Sequence, residues 1–187
     1  VRVLVLAAFK ATSSAPLVIY GRGGTWGLSG TDMAFPAGAR LLAWRATDAW
    51  KAKVVSGTGV TLYRSTISGK PVARPLDSTA YLQVYSRPSS YDTYRGTVTL
   101  VLGTSTVNVV NTLGLDQYLR GVVPTEMPVS WPKQALRAQV IAARSYAVRG
   151  LHPARGNWDL YDDTRSQVYR GIEAEQPATD ALIAAEP

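Results

Sequence analysis

Between Gly121 and Tyr146 the chain reads GVVPTEMPVSWPKQALRAQVIAARSY, and its one carboxylate there is Glu126. Pro124, Pro128 and Pro132 bracket that acid, and Val122, Val123, Met127, Val129 and Trp131 surround it with apolar side chains. A carboxyl in such company holds its proton to higher pH, which suits a general acid. The same residue type at the mouth of a helix also serves as a cap or as one half of a structural ion pair. Downstream, Lys133, Arg137 and Arg144 fall within roughly 40° of one another on a helical wheel. They form a cationic line leading away from Glu126. Such a line is either the solvated face of an amphipathic helix or the wall of a groove that holds carboxylates and hydroxyls. A third group lies in Asp159-Leu-Tyr-Asp-Asp-Thr-Arg-Ser-Gln-Val-Tyr-Arg170. Gln167 and Tyr169 stand at strand spacing and offer a bidentate amide and a flat amphipathic ring, both useful against a saccharide. Asp159, Asp162 and Asp163 lack the glycine and distal glutamate of a calcium loop and read as solvated turn residues.

The elements that must position these groups follow from periodicity. Residues 1–112 read as a β-rich part: strands at Val1–Ala8, Pro16–Tyr20, Ala39–Arg45, Ala52–Val55, Val60–Tyr63 and Tyr81–Tyr85. A hairpin then joins Thr97–Leu102 to Thr106–Val110. Gly21–Gly24 reads as a turn, and Pro71, Pro75 and Pro88 mark loops. Short strands of this kind make small twisted sheets or a barrel-like arrangement. From 113 to 187 the pattern turns helical. Leu115–Arg120 is a short helix, and the three prolines keep the Glu126 segment irregular. Ser130 or Trp131 caps a helix from Pro132, at its first position, to Arg149, with Gly150 as its stop. Residues 151–157 form a loop and residues 173–185 a last helix. The class is therefore α+β, one domain over 1–187, with the candidate motif on its helical part.

Composition narrows the chemistry. With 46% hydrophobic and 18% charged residues, the chain is globular. A net charge of +7 favours anionic partners: nucleic acid, anionic lipid or an acidic wall polymer. No cysteine is present and His152 is the single histidine, which excludes thiol nucleophiles, thiolate metal sites and an HExxH zinc site. There is no helix-turn-helix, RNP or KH signature for nucleic acid. No apolar run reaches the ~20 residues of a membrane helix. The five tryptophans, Trp26, Trp44, Trp50, Trp131 and Trp158, read mostly as core, and Trp131 and Trp158 flank the candidate site.

These residues resemble the stage II sporulation protein D family, SpoIID/LytB. The resemblance rests on the opening Val1-Arg-Val-Leu, on Tyr94-Arg-Gly-Thr-Val, and on Val109 through Pro128. It continues through the Trp-Pro-x-x-Ala-Leu-x-Ala-Gln helix with Ala-Ala-Arg-Ser-Tyr and the Ser-Gln-Val-Tyr-Arg-Gly tail. It implies a lytic transglycosylase acting on peptidoglycan glycan strands, preferably stripped of stem peptides, outside the cytoplasm. It also admits a non-catalytic amidase enhancer that serves a wall hydrolase. It places Glu126 at the catalytic glutamate. Arg137 stands where the family has lysine and Arg144 where it has arginine. Gln167 and Tyr169 stand in the distal motif near the site. No cofactor is implied. Family members that bind zinc do so through cysteine and histidine near the distal motif, where this chain has Tyr161 and Arg165, so no zinc is expected. The resemblance further implies a Ser/Gly-rich continuation beyond residue 187. The enzymatic reading collapses if Glu126 points into bulk solvent, far from any trough and from Arg137 and Arg144.

Overall fold

The computed structural model describes residues 1–152, 154 and 156–186. In chain order its strands are β1 (Arg2–Phe9), β2 (Leu17–Arg22), β3 (Trp26–Leu28), β4 (Ala34–Phe35), β5 (Arg40–Arg45), β6 (Trp50–Val55) and β7 (Thr61–Ile67). They continue with β8 (Val72–Pro75), β9 (Tyr81–Gln83), β10 (Thr93–Tyr94), β11 (Thr97–Leu102), β12 (Val107–Thr112) and β13 (Leu160–Tyr161). The helices are α1 (Leu115–Arg120), α2 (Val123–Glu126), α3 (Lys133–Gly150) and α4 (Pro177–Ala185), with a 3-10 turn at Gly171–Ala174.

Among the described residues the strands form two sheets, in the orders β13-β1-β12-β11-β8-β3-β4 and β10-β9-β2-β5-β6-β7. The fold is α+β with a β-rich N-terminal part. Each sheet turns one face inward, as period-2 side-chain alternation requires. Leu17, Ile19, Leu41, Ala43 and Val54 of the six-stranded sheet share one core with Val98, Leu100, Val107 and Val109 of the other. The expected hairpin is present: β11 pairs with β12, Leu100 lies opposite Val109, and the Gly103 N–H donates to the Thr106 carbonyl.

Several boundaries differ from the sequence reading, each for a local reason. Gly21 and Arg22 belong to β2, paired with Leu82 and Tyr81, so the turn begins at Gly23. Pro75 ends strand β8, opposite Trp26, where no ladder N–H is needed. The Glu126 segment is not irregular. Pro124 occupies the first turn of α2, where a missing N–H costs nothing, and one helical turn forms. Pro132 is itself the cap residue of α3, with extended ψ of 139°, in place of Ser130 or Trp131. The last helix is split, because Pro177 starts α4 afresh after the 3-10 turn. The loop expected at 151–157 includes Pro153 and Arg155, which lie outside the described residues.

The helical part is tied to the sheet by β13, which runs parallel to β1 with Val3 opposite Leu160. Beside it Asp159 accepts hydrogen bonds from the Arg2 guanidinium at 2.6 and 3.2 Å, from the Arg2 amide at 3.0 Å and from the His152 amide at 3.0 Å. The Asp159 side chain is only 4% exposed, so it is not the solvated turn residue its sequence suggests. Its partner arrives from the other end of the chain. Burial pushes the Asp159 carboxyl up, but the Arg2 guanidinium and the two amides outweigh it and hold it below the usual range. A depressed folded pKa contributes stability above the unfolded value, about 3.9, and that stability is lost as pH falls through the folded value. Asp159→Ala should therefore lower unfolding free energy by about 2–4 kcal/mol at pH 7 and remove part of the acid sensitivity. Thermal melts of both proteins from pH 7 to pH 2 check this, and a constant difference between them at every pH would refute it.

Candidate active site

The candidate site is assembled where α1, α2 and the segment 167–171 meet. The approach is close. A Cβ on Gly121 would stand 2.6 Å from the Tyr169 ring and 3.0 Å from the Gly171 carbonyl. At Gly171, φ is +64° and a Cβ would meet the Thr93 carbonyl at 2.1 Å, so this turn requires glycine. The Arg170 amide donates to the Gly121 carbonyl. The peptide groups of Val168 are held from both sides by α2: its N–H donates to Glu126 Oε1 at 2.8 Å, and its carbonyl accepts from Thr125 Oγ1 at 2.5 Å. Glu126 is thereby fixed at the end of α2 with one carboxylate oxygen engaged.

Glu126 is exposed, and the apolar flanks do not enclose it. One turn of helix sends Val122 and Val123 into the core, both 0% exposed, and turns Glu126 outward. Val129 and Trp131 are themselves 40% and 52% exposed. Its chain neighbours Pro124 and Thr125 and its partner Val168 line a hollow of about 440 Å³ with Arg170, Tyr91 and Glu173 among others. Arg170 also lines an adjoining hollow of about 380 Å³ with Arg87 and Asp162.

Gln167 and Tyr169 do not face this hollow. Burial alternates along 167–170, and the two lie inward. Tyr169 is 1% exposed and donates its hydroxyl to Asn111 Oδ1 at 2.9 Å. Its ring lies 5.2 Å from that of Tyr118 and 5.9 Å from that of Tyr94. Gln167, 7% exposed, accepts from the Tyr118 hydroxyl at 3.3 Å. Burial holds the phenols of Tyr94, Tyr118 and Tyr169 well above their ordinary range, so they act as neutral donors. The residues turned toward the hollow are Val168 and Arg170, which the sequence reading passed over. Two-residue periodicity showed that 167 and 169 share a face but not which side of the chain that face meets.

The two arginines of the cationic line are engaged elsewhere. Arg137 pairs with Glu186, and Arg144 with Asp116 at 2.6 Å. Arg144 also donates to the Ile183 and Glu186 carbonyls, so it closes the C-terminal end of α4. Their anionic partners are thus Glu186 and Asp116, not Glu126. The packing face of α3 is Leu136, Val140, Ala143 and Ala147. Ala142 and Tyr146 are exposed. With Lys133 and Trp131, Arg137 lines a separate groove of about 470 Å³ between α3 and α4. Trp158 stands edge-on to Tyr161 at 6.3 Å. Of the three aspartates, only Asp163 keeps an exposed turn role, bonded to Arg165. Asp162 is nearly buried against Arg87 at 2.6 Å; burial raises its carboxyl and the Arg87 guanidinium pulls it back. Among the described residues no group of three or more His, Asp or Glu side chains is arranged to hold a metal ion, and no helix is long and apolar enough to cross a membrane.

Residues 103–186, which carry Glu126, α3 and the distal segment, match the family described as SpoIID, stage II sporulation protein. This part of the chain is similar to the SpoIID family. Known relatives agree. A stage II sporulation protein D of Bacillus subtilis is 30% identical over 122 residues, 62% of this chain and 31% of its own length. An amidase enhancer of Bacillus subtilis is 43% identical over 53 residues, 28% of this chain and 7% of its own. An uncharacterized protein of Brachyspira hyodysenteriae is 38% identical over 82 residues, 43% of this chain and 22% of its own. The chain thus spans less than a third of the length of each of these relatives. No solved structure matches it. The SpoIID segment covers α1–α4, β12 and β13 and begins just after β11, so most of the β-rich part lies outside it.

Proposed function

We propose that the SpoIID segment acts on peptidoglycan glycan strands, outside the cytoplasm, as a lytic transglycosylase with Glu126 as its acid and then its base. The observation that supports this best is the hydrogen bond that fixes Glu126 to Val168, which lines the hollow together with Pro124, Thr125 and Arg170. A single acid suffices for this reaction, whereas a hydrolase needs a carboxylate pair. Protonated Glu126 gives its proton to the oxygen between N-acetylmuramic acid and N-acetylglucosamine, and the glycosidic bond breaks. The resulting carboxylate takes the proton of the muramic C6 hydroxyl as that oxygen closes on C1, forming the 1,6-anhydro ring. The exposure of Glu126 means that the bound saccharide must itself displace water from the carboxyl. In this reading Arg170 faces the strand, while Arg137 and Arg144 hold α3 against α4 and α1. Gln167 and Tyr169 support the Glu126 segment from within the core.

A second reading is a non-catalytic module that presents glycan to a wall amidase. Two observations favour it: the exposure of Glu126 and the engagement of Arg137 and Arg144 by other acids. Incubation with stripped glycan strands and mass spectrometry of the products separates the two. Anhydromuramyl ends are expected. Intact strands that remain bound would instead support the presenting role.

A further inference from the structure

The outer face of the six-stranded sheet carries a charge pattern that folding does not explain. Strands β2, β5, β6 and β7 contain no aspartate or glutamate. Their half-buried and exposed positions carry Arg22, Arg40, Lys51, Lys53 and Arg64. Among the described residues none of these five lies within ion-pair distance of a carboxylate, whereas seven other arginines of the chain do. Lys53 stands directly opposite Arg64, and Lys51 is two residues along on the same face. Like charges across a strand pair destabilise a sheet, and here no acid compensates them. Lys51 donates to Thr66 and Arg22 to Gln83, but these neutral partners leave the charge uncompensated, as expected of a ligand surface.

The remaining side chains on this face suit a saccharide. Trp44, opposite Lys51, lines a hollow of about 590 Å³ with Lys51, Lys53, Arg64, Ser65 and Thr66. Tyr20 lies under the Arg22 guanidinium at 4.3 Å, with Arg40 at 5.7 Å and the Tyr85 ring at 5.5 Å. Aromatic faces take sugar rings, hydroxyls take sugar oxygens, and unpaired cations take carboxylates. None of the residues that line this hollow lines the one beside α2.

We infer that this sheet face is a second binding surface, which grips the carboxylate-bearing glycan strand on which the candidate active site acts. The choice of occupant rests on the proposed function; the charge pattern stands apart from it. Two contact points on one polymer raise the local concentration of strand at Glu126.

The test measures binding of stripped glycan strands with free lactyl carboxylates, and of the same strands after conversion of those carboxylates to methylamides. The wild-type protein should prefer the free-carboxylate strands by about tenfold, with a steep loss of affinity in salt. The triple variant Lys51→Gln, Lys53→Gln, Arg64→Gln should bind both strands alike and weakly. Its melting temperature should stay level or rise, since cross-strand repulsion is relieved. Wild-type affinity retained by the triple variant would overturn this surface while leaving the active-site proposal standing. Tighter wild-type binding to duplex DNA or to anionic lipid vesicles at the same ionic strength would also overturn it. Absence of wild-type binding to either strand would overturn both this surface and the saccharide reading of the active site.

Discussion

Glu126→Gln should lower formation of anhydromuramyl products by about 10²–10⁴-fold while leaving glycan affinity and melting temperature unchanged. The substitution isolates the chemistry, because the amide oxygen still accepts from the Val168 N–H that Glu126 Oε1 now engages at 2.8 Å. What is lost is the proton that leaves and returns. Glu126→Ala differs, since it removes the acceptor as well and frees the Val168 amide, so affinity should fall along with rate. Product release by Glu126→Gln at the wild-type rate would show that another group supplies the proton. The exposure of Glu126 sharpens the experiment, since the variant disturbs no packing and any effect is local.

Tyr169→Ala should cost about 3–5 kcal/mol of stability, a fall in melting temperature of about 6–20 °C for a chain of this length. The ring is 1% exposed and packs between those of Tyr94 and Tyr118, with Gly121 against its edge. Tyr169→Phe keeps the ring and removes the hydroxyl. That leaves Asn111 Oδ1 without its donor in a fully buried position, at a cost of about 1–3 kcal/mol. Both variants should bind glycan normally below their melting temperatures. If Tyr169→Phe weakened glycan binding with no change in melting temperature, the ring would be a saccharide contact and its core role would be wrong. Loss of activity after mutation of the distal motif is therefore expected to report the support of Val168 and Glu126, not lost contact with substrate.

Legibility in the sequence followed the range of the interaction. The β11–β12 hairpin was readable because its apolar alternation and its turn are local. Helix α3 was readable from cationic residues at helical spacing and from the proline before it. The short strands β3, β4, β10 and β13 were not, since two or three residues carry no period and form only where a partner strand waits. The turn of α2 was misread because a proline that breaks a helix interior is welcome in a first turn, and the sequence does not say which turn it occupies. The aspartates were misread because Arg2 and Arg87, which hold Asp159 and Asp162, lie far away in the chain. The basic face of the six-stranded sheet was visible only as net charge until strand pairing set Lys53 opposite Arg64.

By itself the order of residues determined the class of the fold, the SpoIID segment and the position of one acid before a cationic helix. These are local in the chain, and local pattern is what propensity, periodicity and motif spacing record. Only the packed molecule decided that Glu126 faces outward, that Arg137 and Arg144 answer Glu186 and Asp116, and that Tyr169 faces the core while Arg170 faces the hollow. Each of those outcomes depends on which side of a helix or an extended segment meets the rest of the protein. A period fixes which residues share a side, whereas burial against distant partners chooses the side.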